Sequence, residues 1–291
     1  MVDQAAAESA GRGRLTMRGQ AGEHQLDHAF RRMQSRSPIG VFDSGAGGLS
    51  ILRALRHELP HENFVYFSDA GFGPYGERPE SFTADRTRAI ARQLVAEHGV
   101  KALVVACNTA TAAAVHLLRA EYPGIPVVGL EPALKPAAAL SRTGRVAVFA
   151  TRSTLSSAKF LALHASLRGT AEFVLQPCDG LAAAIERHDR DEVRSLCRNY
   201  ARSAGDFGSA PGQIDTLVLG CTHYAFAHAE LEQAVGPGTR IIETGTPVAR
   251  QTRQLLESGS NLSDAGEAAV TFLTTGSNAA LLDAARRFAA R

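Results

Sequence analysis

The sequence predicts an α/β protein built from two similar units, each a parallel-type sheet flanked by helices. Short apolar runs alternate with amphipathic stretches, as in a parallel sheet covered by helices. The runs also form two series, and a cysteine motif recurs at the same place in each. A chain of 291 residues can bury a core large enough for both units.

Four runs of strand length make up the first series, and four more make up the second. The first series comprises residues 39–42, 64–67, 102–106 and 125–128. The second comprises residues 146–149, 173–175, 216–219 and 240–242. Stretches with helical periodicity lie between the runs, for example residues 49–59, 82–98 and 191–204.

Corresponding residues of the two series are separated by similar numbers of positions. The offsets are 107 for Phe42 and Phe149, 109 for Phe64 and Phe173, 112 for Glu131 and Glu243, and 114 for Cys107 and Cys221. This regularity indicates an internal duplication, although strands at regular intervals occur in any α/β protein. Regular spacing alone does not predict a cysteine directly after the third run of each series.

Composition and charge exclude several classes of partner. The net charge of +2 gives no polybasic surface for nucleic acid or for an anionic membrane. No apolar run approaches the ~20 residues that span a bilayer. Residues 1–36 lack sustained periodicity, and residues 1–34 contain no apolar stretch typical of a signal peptide. We therefore expect a cytoplasmic protein with a disordered extension at residues 1–36.

The cysteine and lysine content argues against metal and cofactor chemistry. The four cysteines include no CxxC pair, which disfavours a zinc knuckle or a thioredoxin-type site. His223 has no second ligand at a suitable spacing, so we expect no metal. Pyridoxal phosphate needs a Schiff-base lysine, and no suitable motif surrounds Lys101, Lys135 or Lys159. Cys178 and Cys197 lack polar neighbours of the active-site kind, and we expect both to be structural.

Polar residues follow several predicted strands, at the edge where open parallel sheets bind ligands. Asp43 and Asp69 each end a run in the first series. Two cysteine motifs occupy equivalent places, Cys107-Asn108-Thr109 and Cys221-Thr222-His223. Two such units facing each other across a cleft would place the thiols on opposite sides of one small ligand.

Two opposed thiols suit proton transfer at a carbon atom. Inverting a stereocentre without a cofactor needs one group that removes a proton and another that delivers a proton to the opposite face. The ordinary thiol pKa of about 8.5 is within reach of neutral pH. Asp43 near Cys107 and His223 near Cys221 are suited to tune it. Asn108, Thr109 and Thr222 are suited to hold substrate carboxylates.

Each cysteine taken singly is more often a buried structural residue. The polar pairs that directly follow Cys107 and Cys221 are poor core residues, and they favour the chemical interpretation of both thiols.

The glycine-rich segment 45–48 follows a predicted strand and matches a dinucleotide-binding loop only in part. Ser50 stands where that fingerprint has its third glycine, and Asp43 would repel a pyrophosphate. We therefore expect the glycines to let the backbone turn tightly and approach a small ligand.

Five segments together resemble the glutamate racemases of the aspartate/glutamate racemase superfamily. They are residues 39–50 (IGVFDSGAGGLS), 69–78 (DAGFGPYGER), 106–110 (ACNTA), 127–132 (VVGLEP) and 219–224 (LGCTHY). The resemblance implies two similar α/β domains related by a pseudo-twofold axis, with the active site in the cleft between them. It also implies a homodimer.

The resemblance further implies an activity, the interconversion of L- and D-glutamate by two bases without a cofactor, which supplies D-glutamate for peptidoglycan. Cys107 matches the residue that handles the α-proton of the D-enantiomer, and Cys221 the one that handles the L-enantiomer. Glu186 matches a supporting acidic residue. The family's substrate-binding positions fall on Asp43, Ser44, Tyr75, Gly76, Asn108, Thr109, Thr222 and His223.

From the family we expect residues 37–125 with 240–291 to form the first domain, and residues 126–239 the second. Two alternatives for the function stay open. One is a racemase for aspartate or for a broad range of amino acids on the same scaffold. The other is a catalytically silent binding protein that acts on a partner, and the presence of both thiols speaks against it.

Overall fold

The computed structural model describes residues 35–289, in which strands and helices alternate along most of the chain. The strands are β1 (Ile39–Asp43), β2 (Phe64–Ser68), β3 (Ala102–Val105), β4 (Val127–Gly129), β5 (Arg145–Ala150), β6 (Glu172–Pro177), β7 (Thr216–Gly220), β8 (Arg240–Ile242) and β9 (Val270–Thr274). Short 3-10 helices span Tyr75–Glu77 and Thr222–Ala227.

Helices connect successive strands on both sides of the sheets. They are α1 (Leu49–Glu58), α2 (Glu80–His98), α3 (Asn108–Glu121), α4 (Leu134–Leu140), α5 (Arg152–Ser156), α6 (Ala158–Ala165), α7 (Leu181–Glu186), α8 (Arg190–Ala204), α9 (His228–Val235), α10 (Gly245–Ser258) and α11 (Asn278–Phe288). In the part of the chain that the structure describes, no helix has the length and apolar character needed to cross a membrane.

The strands form two sheets with the same internal order. The first sheet runs β4-β3-β1-β2-β9 and the second runs β8-β7-β5-β6. All pairings are parallel. Each sheet therefore takes one of the two series found in the sequence, and β1 to β4 correspond in order to β5 to β8. This arrangement confirms the predicted fold class of two similar parallel sheets flanked by helices.

The near-continuous apolar character of the strands follows from burial on both faces. Side chains alternate across a strand, so Val146 and Val148 of β5 pack in one core while Ala147 and Phe149 pack in another. The first sheet does the same, with separate cores on its two faces.

Two strands pair differently from the expected domain boundaries. A boundary between residues 125 and 126 assigns β4 to the second unit, but Leu103 of β3 pairs with Val127 of β4 in the first sheet. A boundary between residues 239 and 240 assigns β8 to the first unit, but Thr216 of β7 pairs with Arg240 of β8 in the second. Periodicity identifies a strand but not the backbone that it pairs with. The division into domains itself stays a prediction.

Strand β9 was not expected from the sequence. It pairs with β2 and extends the first sheet at its edge. Its residues are only partly buried, with the side chain of Thr271 exposed. An edge strand covered on fewer sides carries a weaker apolar signal than a central one.

The expected extension at residues 1–36 lies almost wholly outside the described residues. Within the described part, Ser35 contacts the folded chain, because the Lys101 ammonium donates a hydrogen bond to the Ser35 carbonyl. Lys101 also forms a buried ion pair with Glu62, with 2.6 Å between Nζ and Oε2. Ser35 therefore belongs with the folded chain rather than with the extension.

Candidate active site

The two thiols lie at equivalent places in the two sheets. Cys107 lies two residues past the end of β3, and Cys221 directly follows the end of β7. At these carboxyl ends the chain turns into a helix, and the Cys107 sulfur accepts a hydrogen bond from the Ala110 amide at 3.5 Å. Both side chains are buried, yet both reach the same pocket.

That pocket lies between the two sheets and has a volume of about 40 Å³. Residues from both halves of the chain line it, among them Ser44, Tyr75, Gly76, Asn108, Thr109, Thr151, Cys178, Thr222 and His223. Both thiols and polar groups from both halves therefore meet in one pocket.

Cys107 is surrounded by groups that keep its proton in place. Burial, together with the negative charge of Asp43, raises the pKa of the Cys107 thiol to about 12. The Ser44 hydroxyl lies 3.6 Å from the sulfur and opposes this shift. Cys107 is thus suited to hold a proton until substrate changes its surroundings.

Cys221 ends a chain of polar side chains that crosses the second half. Its sulfur lies 3.7 Å from Nδ1 of His223, and Nε2 of His223 lies 2.7 Å from Oε1 of Glu186. Burial lowers the pKa of His223, but the hydrogen bonds to Cys221 and Glu186 outweigh it and raise that pKa well above its ordinary value.

The contact with His223 has the opposite effect on Glu186, because it lowers the pKa of that carboxyl group. Burial raises the pKa of Glu186, yet the hydrogen bond from His223 and the charge of the imidazolium bring it below its ordinary value. The pair therefore carries both charges at neutral pH, and the positive charge of His223 lies beside the Cys221 sulfur.

Asp43 joins the two halves across the cleft. The carboxylate is fully buried and accepts hydrogen bonds from the Gly45 amide at 2.7 Å and the Thr222 hydroxyl at 3.2 Å. Burial raises the pKa of Asp43 to about 6, although the nearby positive charge of His223 opposes the shift. A carboxyl group with a pKa near neutrality is suited to exchange protons.

Asn108 and Thr109 lie at the start of α3, beside Cys107. Both polar atoms of the Asn108 side chain are buried without a hydrogen-bond partner in the protein. A buried amide left unpaired is costly, so its position in the pocket wall indicates a ligand contact. The Thr109 hydroxyl lies 3.1 Å from that of Thr151, which belongs to the second half.

Tyr75 and Gly76 line the pocket as the sequence predicts, but the Tyr75 hydroxyl is engaged elsewhere. It donates a hydrogen bond to Asp69, which also receives two bonds from Arg86, at 2.9 and 2.7 Å. Thr275, just after β9, donates a fourth at 2.8 Å. The local sequence places Asp69 after a predicted strand but does not indicate Arg86, 17 positions away, or Thr275, 206 positions away.

The glycine-rich segment does approach other atoms closely, but these belong to the protein. Gly45 packs against Glu186, and Gly47 packs against His223 and Thr222, all of the second half. The Ala46 amide donates to Oε1 of Glu186 at 3.0 Å. The close approach to the second half is thus made to protein side chains, and the expected contact with a small ligand stays a prediction.

The remaining cysteines and the lysines also have defined places. Cys197 is buried in the second core, as expected for a structural residue. Cys178 is buried there too, but it also lines the pocket, which its neighbours in the sequence did not indicate. Lys101 lies at the opposite end of β3 from Cys107.

Within residues 35–289, no cluster of three or more His, Cys, Asp or Glu side chains could hold a metal ion.

Comparison with known proteins places this geometry in a family. A family model described as Asp/Glu/hydantoin racemase matches residues 46–252. The glutamate racemase of Methylococcus capsulatus is 48% identical over 222 residues, which cover 76% of this chain and 79% of that protein.

Solved structures agree with the sequence comparison. Glutamate racemase isoform RacE1 from Bacillus anthracis has a TM-score of 0.78 at 29% identity, covering 88% of this chain and 95% of that one. Escherichia coli glutamate racemase, in complex with L-glutamate and the activator UDP-MurNAc-ala, has a TM-score of 0.75 at 32% identity, covering 86% and 95%. By sequence and by fold, this chain belongs to the Asp/Glu/hydantoin racemase family.

Proposed function

We propose that this racemase interconverts L- and D-glutamate by a two-base mechanism without a cofactor. The observation that carries the proposal is that two thiols, at the ends of the corresponding strands β3 and β7, line one pocket between the sheets. Relatives of similar length that are named glutamate racemases support the choice of substrate.

Proton removal from L-glutamate is assigned to Cys221. The His223 imidazolium beside it stabilises the thiolate, and Glu186 stabilises the imidazolium in turn. The Cys221 thiolate takes the α-proton, and the electron pair of the Cα–H bond stays on the substrate. The Cys107 thiol then delivers its own proton to the opposite face of Cα, which yields D-glutamate.

The reverse reaction assigns the opposite roles to the two thiols. Cys107 must lose its proton first, and Asp43 is the nearby carboxylate whose raised pKa suits it to accept one. The Cys107 thiolate then removes the α-proton of D-glutamate, and the Cys221 thiol protonates the other face. Each turnover therefore leaves the two thiols in exchanged protonation states.

Substrate binding is assigned to the polar groups around the thiols. The unpartnered Asn108 amide offers donors and an acceptor inside the pocket. Ser44, Thr109 and Thr222, whose side chains carry hydroxyl groups, line the same pocket, as do Tyr75 and Gly76. These groups are suited to hold the carboxylates and the ammonium group of an amino acid while the walls exclude water.

The cellular role follows from the family. We propose that the protein supplies D-glutamate for peptidoglycan in the cytoplasm and that it works as a homodimer. We also propose that the chain divides into two domains, at residues 37–125 with 240–291 and at 126–239, with β4 and β8 pairing across that division.

The test is racemisation of purified protein followed by circular dichroism, with L-glutamate and L-aspartate as substrates and no added cofactor. We expect the signal of L-glutamate to decay to zero and that of L-aspartate to change far more slowly. Similar rates on both would identify a broad-specificity racemase. No decay with either substrate, in folded protein, would identify a catalytically silent binding protein instead.

A further inference from the structure

The contact between the glycine-rich loop and the second half involves an unusually close approach at Gly45. A Cβ atom at this position would lie 1.9 Å from Oε1 and 3.0 Å from Cδ of Glu186, and its nearest neighbours all belong to that side chain. Gly45 does not adopt a left-handed backbone conformation. The glycine is therefore needed for space and not for its backbone freedom.

The Glu186 carboxylate occupies the space left by Gly45, and its polar contacts reach only one of the two thiols. Glu186 accepts from the Ala46 amide at 3.0 Å and contacts His223 at 2.7 Å, and His223 contacts Cys221 at 3.7 Å. A chain of polar contacts thus runs from a loop of the first half to the thiol of the second half. Among residues 35–289, the Cys107 sulfur contacts Ser44 and the Ala110 amide, and no such chain joins it to Glu186.

We propose that Gly45 is a positioning residue for proton transfer at Cys221, acting through Glu186 and His223. The inference rests on the proposed racemase function. By carrying no side chain, Gly45 lets the first half of the chain hold Glu186 where it orients His223 against the sulfur. The first half thereby controls the base that belongs to the second half, and it does so for only one of the two enantiomers.

The surroundings indicate which group would move if a methyl group were added. The Ser50 hydroxyl donates to the Thr222 carbonyl at 3.1 Å and holds the loop in place. Glu186, by contrast, ends α7, and its side chain is 31% exposed. A second pocket of about 230 Å³ adjoins Glu186 and His223 and offers room for displacement. Gly45→Ala should therefore keep the fold and displace the carboxylate.

Racemisation rates cannot test this inference. The two enantiomers have equal free energies, so kcat/KM must be the same in both directions in every variant. An irreversible reaction that needs only one proton abstraction separates the two thiols. With glutamate chlorinated at the β-carbon, the thiolate takes the α-proton, a Cα=Cβ bond forms, and chloride leaves with the electron pair of the Cβ–Cl bond.

Chloride release from each enantiomer of this analogue is therefore measured for the full-length protein and its variants. Gly45→Ala should lower kcat for the L-form on the order of 10- to 100-fold, as expected when a reacting group moves by about 1 Å, and leave the D-form close to wild type. Gly47→Ala should slow both forms, because its Cβ would lie 2.4 Å from Nδ1 of His223 and 2.5 Å from Oγ1 of Thr222, the partner of Asp43.

The matched control is Gly238→Ala. Gly238 is exposed and has no heavy atom within 4 Å of an added Cβ. Both chloride-release rates should stay at the wild-type level. This control separates the contact with Glu186 from any general effect of replacing glycine by alanine.

A double variant keeps the inference testable if Gly45→Ala does not fold. Glu186→Asp shortens the acid by one methylene group, which makes room for the methyl group. If Gly45 acts through Glu186, then Gly45→Ala/Glu186→Asp should match Glu186→Asp alone in its L-form rate, a non-additive result. An additional loss in the double variant would overturn the proposed route through Glu186.

The outcomes separate this inference from the proposed function. If wild type neither racemises glutamate nor releases chloride from either form, the proposed function is wrong. If wild type acts on both forms and Gly45→Ala slows both equally, or slows neither, the function stands and the positioning role of Gly45 is wrong.

Discussion

The hydroxyl of Thr222, next to one thiol, donates a hydrogen bond at 3.2 Å to Asp43, whose charge acts on the other thiol. Asp43 is fully buried, and burial raises its pKa from 3.8 to about 6. A buried carboxyl group that must be charged makes the fold less stable at neutral pH.

The sign of this effect predicts a dependence of stability on pH. The folded-state pKa of Asp43 is raised. Its contribution to the free energy of unfolding is therefore fully present below pH 3.8 and is lost as the pH rises through about 6. The loss at pH 8 is roughly 3 kcal/mol. Asp43→Asn should therefore melt several degrees above wild type at pH 8, with a much smaller difference at pH 4.5, and should racemise glutamate poorly.

Melting curves at both pH values check this prediction, with exposed Asp206→Asn as the control. A constant difference between Asp43→Asn and wild type across the pH range would show that Asp43 is not the titrating group.

Each thiol should be required for racemisation, but for abstraction of the α-proton from only one of the two enantiomers. Cys107→Ser and Cys221→Ser should each nearly abolish racemisation, since one face of Cα then lacks its acid or base. Serine is close in volume to cysteine, so both variants should fold. With the β-chloro analogue, Cys107→Ser should still release chloride from the L-form and Cys221→Ser from the D-form.

Cys197→Ser serves as the control for this pair, because Cys197 is buried in the second core away from the pocket. It should retain both activities. Full racemase activity in either active-site variant, or equal loss of both enantiomers in both, would contradict the two-base assignment.

Asp69 should be a strong determinant of stability and of the pocket wall. Its carboxylate is fully buried and binds Arg86, Tyr75 and Thr275, which join α2, the pocket and the end of β9. Removing one partner of a buried ion pair costs about 3 kcal/mol. Asp69→Ala should lose about that much in denaturant unfolding and also raise KM, because Tyr75 loses its anchor.

The comparison for Asp69→Ala is Asp191→Ala. Asp191 pairs with Arg194 at the surface, and the side chain of Asp191 is 94% exposed. Exposed pairs contribute about 0–1 kcal/mol. If Asp69→Ala were no more destabilising than Asp191→Ala, the proposed anchoring of Tyr75 would be wrong.

Activity should need neither pyridoxal phosphate nor a metal ion. The two thiols, Asp43 and His223 supply every acid and base that the reaction requires. Exhaustive dialysis against a chelator and hydroxylamine should leave the rate of glutamate racemisation unchanged. Loss of activity that returns on adding back pyridoxal phosphate or a divalent metal would contradict the proposal.

The alternation of strands and helices, the two series and the places of both cysteines could be predicted from the sequence. Burial on both faces of a parallel strand leaves a continuous apolar run, which local inspection detects. The polar groups at the carboxyl ends of β1, β3 and β7 follow from the same rule, because parallel strands end at one edge of their sheet.

The contacts that complete the site depend on residues that are far apart in the chain. Ala46 and Glu186 are separated by 140 positions, and Thr222 and Asp43 by 179. Local periodicity carries no information about which side chains meet across a cleft. For the same reason the glycines of residues 45–48 could be predicted to allow a close approach, but their partner could not.

The sequence by itself determined the fold class, the repeated unit and the two thiols, because each is set by local pattern and by short motifs. Only the tertiary structure decided that β4 and β8 pair outside the expected boundaries and that β9 closes one edge. It also decided that the Tyr75 hydroxyl binds Asp69 and that Glu186 takes the space beside Gly45. These features are set by the packing of one half against the other, where burial and hydrogen bonding select partners that no local segment specifies.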